Sequence, residues 1–234
     1  MEEFKTAYIR TVAVPRDKLD TAINALKSAY DGISVNLSGR YGDLSIEIKY
    51  PEEMPSNVFE EAYRQALTVL NDYVYALEDV GLAERLIQLL KLRKTMFSVA
   101  ESFTGGGVGG RIVEISGASE VFFEGLNTYS NQSKMERLGV NEATLKQFGA
   151  VSRETAYEMA RGLLNTGNCG LCVATTGIAG PKSDNTQKPV GLVYIAVGCE
   201  DDVQVYGYNL KCSRKDITET AINLALFLAF KTLK

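Results

Sequence analysis

The sequence predicts an α/β fold class, with a layered C-terminal α/β domain preceded by a small α+β domain. Three observations predict it. Short alternating apolar runs surround two amphipathic helices in the first third of the chain, the acidic LEDVG stretch then interrupts the pattern, and helices alternate with apolar strands after it. Apolar residues make up 45% of the 234 residues and charged residues 23%, as is ordinary for a globular protein.

The N-terminal pattern predicts strand, helix, strand, strand, helix and strand in that order. Alternation in AYIRTVAV gives the first strand, and apolar residues from Leu19 to Leu26 form a helical stripe. Two alternating runs, 33–37 and 44–48, lie on either side of the turn SGRYGD. The segment PEEMPSNVFEEAYRQALTVL begins a helix after its prolines, and NDYVYAL closes the unit. This order predicts a ferredoxin-like (split βαβ) domain over residues 1–78.

Residues 79–234 are predicted to form a layered domain whose mixed, mostly parallel sheet has an antiparallel edge. A leucine stripe at helical spacing opens this domain. The elements expected after the leucine helix are a strand at 95–100, a helix from Thr104, a strand at 122–129, helices from Ser130 and Ser152, a buried strand at 171–176, strands at 190–199 and 203–210, and a terminal helix.

Composition limits the chemistry that this chain can perform. It contains no histidine, so Ser-His-Asp catalysis is excluded, and a base working near neutral pH must be a carboxylate, a lysine of lowered pKa, a tyrosine or a cysteine. Cys169 and Cys172 form a C-x-x-C in a predicted strand, where residues three apart point to opposite faces and cannot chelate one ion. We therefore expect no metal and no cofactor.

Charge and hydropathy indicate the partners and the location. The net charge of −4 offers no general attraction for nucleic acid. Gly39–Gly42 matches the G-x-x-G of RNA-binding KH modules, but there the loop joins two helices, and here a plain turn between strands is expected. The most apolar run, 221–230, is too short to cross a bilayer, and the N-terminus lacks a signal-peptide pattern, so a cytoplasmic location is the default. The terminal helix is apolar nearly all round, so we expect a homo-oligomer, with the sheet of the same subunit as the alternative cover for this helix.

Ser102 is the first candidate for chemistry. It follows a predicted strand and precedes the glycine-rich helix start TGGGVGG, where amides of the first turn could hold an oxyanion or a phosphate. In this segment alone, the simpler interpretation is that Ser102 or Thr104 caps the helix. The glycines also satisfy G-x-G-x-x-G, but so many registers fit by chance that a dinucleotide site is only weakly indicated.

Tyr129 and Lys134 lie where another strand passes into a helix, with Lys134 one turn into it. The carboxyl ends of parallel strands meet at one sheet edge, so Ser102 and Lys134 can meet there. The ordinary alternative is a packing tyrosine and a solvated lysine. The polar loop TTGIAGPKSDNTQKPVG follows a third strand end and is interpreted as a binding loop.

Taken together, AESFTGG, TYSNQSK, the GAVS of residues 149–152, GIAGP and KPVG resemble the CinA C-terminal domain family in order and spacing. The resemblance runs from about Gly81 to the C-terminus. The N-terminal segment more faintly resembles the small subdomain that precedes this domain in full-length CinA proteins. The family includes bacterial nicotinamide-nucleotide amidohydrolases, so the resemblance implies hydrolysis of nicotinamide mononucleotide to nicotinic acid mononucleotide and ammonia.

The resemblance assigns roles to individual residues. The family's catalytic serine, lysine and tyrosine fall on Ser102, Lys134 and Tyr129. A neutral Lys134 would take the proton of Ser102, which needs a partly desolvated site. Tyr129 would relay a proton to the leaving ammonia or help keep Lys134 uncharged. The residues expected to bind the nucleotide substrate are Thr104, Gly105, Gly106, Asn131, Gly177, Ile178, Ala179, Gly180 and Arg214.

The chain departs from the family's pattern at three places. Phe103 replaces the cysteine common after the serine, Cys212 and Ser213 stand where the family has Gly-Asp before the arginine, and 182–184 replace a glycine pair after GIAGP. The altered loop after GIAGP and the N-terminal module keep a second hypothesis open, a catalytically silent nucleotide-binding or regulatory protein linked to competence or DNA damage. The sequence does not determine which amidated nucleotide is preferred.

Overall fold

The computed structural model describes residues 3–182, 187–200 and 202–234. Two compact units divide the chain, Met1–Leu82 and Ala83–Lys234. Each unit has its own sheet, one of four strands and one of five. The α/β fold class predicted from the sequence is confirmed, while the exact boundary between 78 and 79 stays a prediction.

The N-terminal unit forms an antiparallel sheet with strand order β2-β3-β1-β4, which is the order of a split βαβ fold. Apolar residues on one face of β1 and β3, among them Ile9 and Ile46, pack against Leu26 and the second helix. The G-x-x-G lies in the hairpin turn, where Tyr41 and Gly42 both have positive φ. The elements are β1 (Phe4–Val12), α1 (Arg16–Ala29), β2 (Ser34–Arg40), β3 (Asp43–Pro51), α2 (Ser56–Leu70) and β4 (Val74–Ala76).

The C-terminal unit alternates helices and strands. One helix, at residues 142–148, is not predicted from the sequence. It is two turns long, which is too short for a periodic apolar pattern to show. The elements are α3 (Leu82–Arg93), β5 (Phe97–Glu101), α4 (Gly107–Val113), β6 (Phe122–Asn127), α5 (Asn131–Leu138), α6 (Glu142–Phe148), α7 (Arg153–Leu164), β7 (Leu171–Gly177), β8 (Leu192–Cys199), β9 (Asp202–Asn209) and α8 (Arg214–Leu233).

The sheet of this unit has strand order β6-β5-β7-β8-β9. Strands β6, β5 and β7 are parallel, and β8 and β9 continue the sheet with antiparallel pairing. The mixed sheet is as predicted, with the antiparallel part extending over two strands. Because β6, β5 and β7 run in one direction, the residues that follow Asn127, Glu101 and Gly177 all emerge at one edge. That edge carries the candidate site.

The terminal helix α8 packs on β7, β8 and α4, and its residues 221–230 are all buried. The apolar side chains on all sides of α8 are therefore covered within one chain. The homo-oligomer stays a prediction. None of the helices in the described segments is both long and apolar enough to cross a membrane.

The C-x-x-C differs from our expectation. Cys169 precedes β7, which begins at Leu171, so strand alternation does not apply to it. Both thiols instead face α7 in the core, where the Cys169 thiol donates to the carbonyl of Leu163 at 3.9 Å and the Cys172 thiol donates to that of Ala160 at 3.4 Å. The prediction that Cys169 and Cys172 point to opposite faces was wrong. Within the described part of the chain, no group of three or more potential ligands from His, Cys, Asp and Glu could hold a metal ion.

Candidate active site

Ser102 is the first residue after β5 and is almost completely buried. Its backbone N–H donates to the carbonyl of Thr175 on β7 at 3.1 Å, which extends the parallel pairing by one residue. The N-cap residue of α4 is Gly106, which has no side chain to cap the helix itself. Thr104 instead pairs its hydroxyl with that of Thr175 at 2.7 Å. The interpretation of Ser102 or Thr104 as the helix cap was therefore wrong.

The buried side chain of Glu101, the last residue of β5, binds the N-terminus of α4. Its carboxylate, on a side chain that is 2% exposed, accepts hydrogen bonds from the amides of Gly106, Val108 and Gly109 at 3.1, 3.0 and 2.9 Å. The left-handed conformations of Gly105 and Gly106 accompany this return of the chain toward Glu101. The positive end of α4 is thus already neutralised. It is not open to a substrate phosphate, and the Gly106 amide expected to bind substrate is engaged.

Lys134 lies opposite Ser102, one turn into α5. The N-cap of this helix is Ser130, whose hydroxyl accepts from the Ser133 amide at 3.1 Å. The Lys134 side chain is 0% exposed. Its Nζ donates to Ser102 Oγ at 3.1 Å and to the backbone carbonyl of Thr128 at 2.7 Å. A third bond, at 3.3 Å, goes to the carbonyl of Tyr129. The two side chains nominated from separate strand ends are therefore in direct contact.

The surroundings of Lys134 favour its neutral form. Burial lowers the pKa of Lys134 from an ordinary value of 10.5 to about 8. The salt bridges of the described residues include none to this amine, so no carboxylate within 4.0 Å opposes that effect. At pH 7 a group with a pKa of about 8 is neutral in roughly a tenth of the molecules. That fraction is enough for a general base.

Tyr129 meets Lys134 through its backbone. Its carbonyl accepts from Lys134 Nζ, whereas its side chain is 66% exposed. The proton relay expected of its phenol stays a prediction. Asn131, expected to bind substrate, is exposed at the first position of α5, near the same strand end.

Backbone N–H groups around Ser102 fall into two sets. The amide of Gly105 donates to the carbonyl of Ser102 at 3.1 Å, and that of Gly107 donates to the carbonyl of Thr104 at 3.0 Å. The amides of Phe103 and Thr104 have no acceptor among the residues that the structure describes. These two adjacent donors are available to a negatively charged oxygen formed beside Ser102.

The loop after β7 supplies a second pair of such donors. Ile178 donates its amide to Leu192 at 2.9 Å, whereas the amides of Ala179 and Gly180 have no acceptor within the described segments. Arg214, the first residue of α8, donates from its guanidinium to the carbonyl of Gly180. The predicted binding residues Gly177–Gly180 and Arg214 are therefore brought together. Of the residues that replace the family's glycine pair, Ser183 and Asp184 lie outside the described residues.

Two groups that shape the site were not predicted from the sequence, the Glu101 carboxylate and the backbone carbonyl of Thr128. A signal for Glu101 was present, because a carboxylate at the end of an otherwise apolar strand must find buried partners. No signal exists for the carbonyl of Thr128, since every residue carries one and only the path of the chain aims it at Lys134.

Known proteins with similar sequences indicate the family of this chain. Residues 79–233 match the family model described as CinA C-terminal domain. A protein named as competence-damage inducible from Caldicellulosiruptor saccharolyticus is 33% identical over 235 residues, 99% of this chain and 57% of that protein. A CinA-like protein from Kosmotoga olearia is 38% identical over 175 residues, 75% of this chain and 42% of that protein. The chain thus spans about half the length of these curated relatives.

Solved structures resemble about two thirds of the chain. The competence/damage inducible protein CihA from Agrobacterium tumefaciens is 40% identical with a TM-score of 0.62, covering 65% of this chain and 93% of that one. A competence or damage-inducible protein from Enterobacter asburiae is 27% identical with a TM-score of 0.64, covering 65% of this chain and 96% of that one.

Proposed function

This chain belongs to the CinA C-terminal domain family, and from the site that it carries we propose that it hydrolyses the carboxamide of nicotinamide mononucleotide. The products are nicotinic acid mononucleotide and ammonia. The observation that carries the proposal is the fully buried Lys134 amine, 3.1 Å from Ser102 Oγ and bound otherwise only to backbone carbonyls among the described residues.

The two carbonyls orient the base. A neutral amine has two N–H groups, and the carbonyls of Thr128 and Tyr129 accept both of them. The nitrogen lone pair is then directed at Ser102 Oγ, whose hydroxyl becomes the donor. After proton transfer the amine has three N–H groups for the same three oxygens. Every hydrogen bond is satisfied before and after the step, so the proton moves with little reorganisation.

The reaction proceeds through an acyl-enzyme. As Lys134 accepts the proton, Ser102 Oγ forms a bond to the carboxamide carbon, and the carbonyl oxygen becomes an oxyanion facing the amides of Phe103 and Thr104. The C–N bond then breaks, and the leaving nitrogen takes the Lys134 proton to depart as ammonia. Water attacks the ester and gives one proton to Lys134, which returns it to Ser102 Oγ as the ester C–O bond breaks. The carboxylic acid so formed keeps the other proton of the water and then loses it to solvent as the carboxylate.

The phosphate of the substrate requires donors away from α4, whose N-terminus holds Glu101. The amides of Ala179 and Gly180 and the guanidinium of Arg214 meet this need, since one arginine offers five N–H donors and a single bond to Gly180 engages only part of them. This assignment is supported by the clustering of the three groups at one loop.

The test is release of ammonia from nicotinamide mononucleotide by the purified protein. We expect Ser102→Ala to lower kcat by about 10⁴-fold and Lys134→Met by about 10²- to 10⁴-fold, because each removes a group that takes part in bond making. The control is Lys146→Met, since Lys146 is exposed on α6, where it pairs with Glu142. For the wild type, log(kcat/KM) should rise with pH to a plateau above about 8, as Lys134 loses its proton.

Turnover that survives both substitutions contradicts the mechanism. Calorimetric binding of the nucleotide without turnover in the wild type favours the second candidate, a nucleotide-binding regulatory protein. The names of the relatives, which refer to competence and damage rather than to a reaction, motivate that candidate.

A further inference from the structure

Lys188 joins two loops at the sheet edge that carries Ser102. Its Nζ donates to the carbonyl of Phe148 at 2.6 Å and to that of Val151 at 2.6 Å. These carbonyls lie at the two ends of the connection between α6 and α7, whereas Lys188 belongs to the loop between β7 and β8. Bonds from an ammonium to carbonyls are charge-assisted and stronger than neutral ones.

The α6–α7 connection, residues 148–151, is held largely by side-chain donors. The carbonyl of Gly149 accepts from Ser152 Oγ at 3.0 Å and from Thr155 Oγ1 at 2.8 Å. That of Ala150 accepts from Thr176 Oγ1 at 2.6 Å. Together with Lys188, these side chains engage four consecutive carbonyls. Thr176 stands at the carboxyl end of β7, so the connection lies at the edge where β7 pairs with β5.

The β7–β8 loop, residues 178–191, is closed at its base by backbone bonds. Gly191 donates to Ile178 at 2.8 Å, and Ile178 donates to Leu192 at 2.9 Å. Beyond this base, Arg214 holds the carbonyl of Gly180, and Lys188 attaches the returning chain to the α6–α7 connection. The unengaged amides of Ala179 and Gly180 thus belong to a loop fixed by one cation on each side.

We propose that Lys188 is a positioning residue for substrate binding. Its ammonium fixes the β7–β8 loop against the α6–α7 connection and so holds the Ala179 and Gly180 amides where the phosphate of the substrate needs them. The identity of that ligand rests on the proposed function. A lysine suits this task because its compact charge has freely rotating donors that serve two carbonyls from different residues.

The test compares Lys188→Met, which removes all donors, with Lys188→Arg, which keeps the charge. Lys146→Met is the matched control, since Lys146 is an exposed lysine on neighbouring α6. We expect Lys188→Met to raise KM for nicotinamide mononucleotide about tenfold, which is the loss of roughly one charge-assisted bond, with kcat within about twofold. Amide hydrogen exchange over 148–151 and 178–182 should speed up about tenfold. Lys188→Arg should recover part of both losses.

An unchanged KM together with unchanged exchange in Lys188→Met overturns the proposal. So does a fall in kcat with a shifted pH profile at constant KM, because Lys188 would then act on the chemistry. If Lys188→Met does not fold, Lys188→Gln, which removes the charge but keeps an NH2 group, is measured in its place under the same criteria. If the wild type releases no ammonia, the proposed function fails, and the exchange comparison still decides the positioning role by itself.

Discussion

Two charged side chains are buried equally deeply where β5 ends, and their hydrogen-bond partners give them opposite properties. Glu101 and Ser102 are adjacent, so their side chains leave the strand in opposite directions. The Glu101 carboxylate meets three amides of α4, and on the other side Ser102 meets Lys134. The Glu101 carboxylate is therefore surrounded by complementary dipoles from a helix N-terminus. The Lys134 amine contacts, among the described residues, two carbonyls and a hydroxyl.

The effect of burying a charged side chain depends on its hydrogen-bond partners. The three N–H groups that contact Glu101 would lose their acceptor if the carboxylate were removed, so the carboxylate is part of the fold. Lys134 can lose its proton without losing a hydrogen bond, because its neutral form still satisfies both carbonyls and Ser102 then becomes the donor. The site thus pairs a carboxylate whose hydrogen bonds shape the backbone with an amine that can lose its proton, as the proposed mechanism requires.

The largest expected effect on stability is that of Glu101→Leu. This substitution leaves the buried N–H groups of Val108 and Gly109 and the part-buried N–H of Gly106 without an acceptor, so we expect the free energy of unfolding to fall by about 4 kcal/mol. Glu114→Leu, on an exposed side chain directly after α4, should change it by less than about 0.5 kcal/mol. Urea unfolding monitored by circular dichroism measures both. Equal losses of stability in the two variants would contradict the structural role of the Glu101 carboxylate.

A smaller and pH-dependent effect is expected of Lys134→Met. The pKa of Lys134 is about 8 in the folded protein and 10.5 ordinarily, so between these values the unfolded chain binds more protons. Wild-type stability should therefore rise between pH 8 and 10.5, by up to about 3 kcal/mol from this group. Below pH 8 the penalty of burying the ammonium is fully present.

The Lys134→Met variant should lack this rise, because it has no amine to titrate. Unfolding of wild type, Lys134→Met and the control Lys146→Met at pH 7.5, 9 and 10 isolates the contribution from other groups that titrate in the same range. Parallel stability curves for wild type and Lys134→Met would show that the buried amine is not perturbed.

The parts predicted from the sequence are those that depend on periodicity and on strand ends. Alternation located the strands, and Ser130 and Ser152 were recognised as helix starts and do cap α5 and α7. The meeting of Ser102 with Lys134 followed from a topological rule about parallel strands. Local pattern and general topology were sufficient to predict the contact between the two side chains proposed as nucleophile and base.

The parts that could not be predicted depend on where single backbone groups point. The left-handed turn at Gly105 and Gly106 directs the α4 amides at Glu101, which reversed our expectation that this helix end was open to substrate. The engagement of Lys134 by two successive carbonyls likewise depends on the path of residues 128–130. Neither the composition nor the spacing of residues shows in which direction a backbone N–H or C=O group points.

The central claim is that Lys134 is a removable charge, and its most direct test is a titration of that one amine. Lysine labelled at the side-chain carbon next to the amine allows the pKa of Lys134 to be read by NMR, with Lys134→Met used to assign the signal. The account predicts a midpoint of about 8 in the folded protein. A midpoint near 10.5, like that of an exposed lysine, would contradict it.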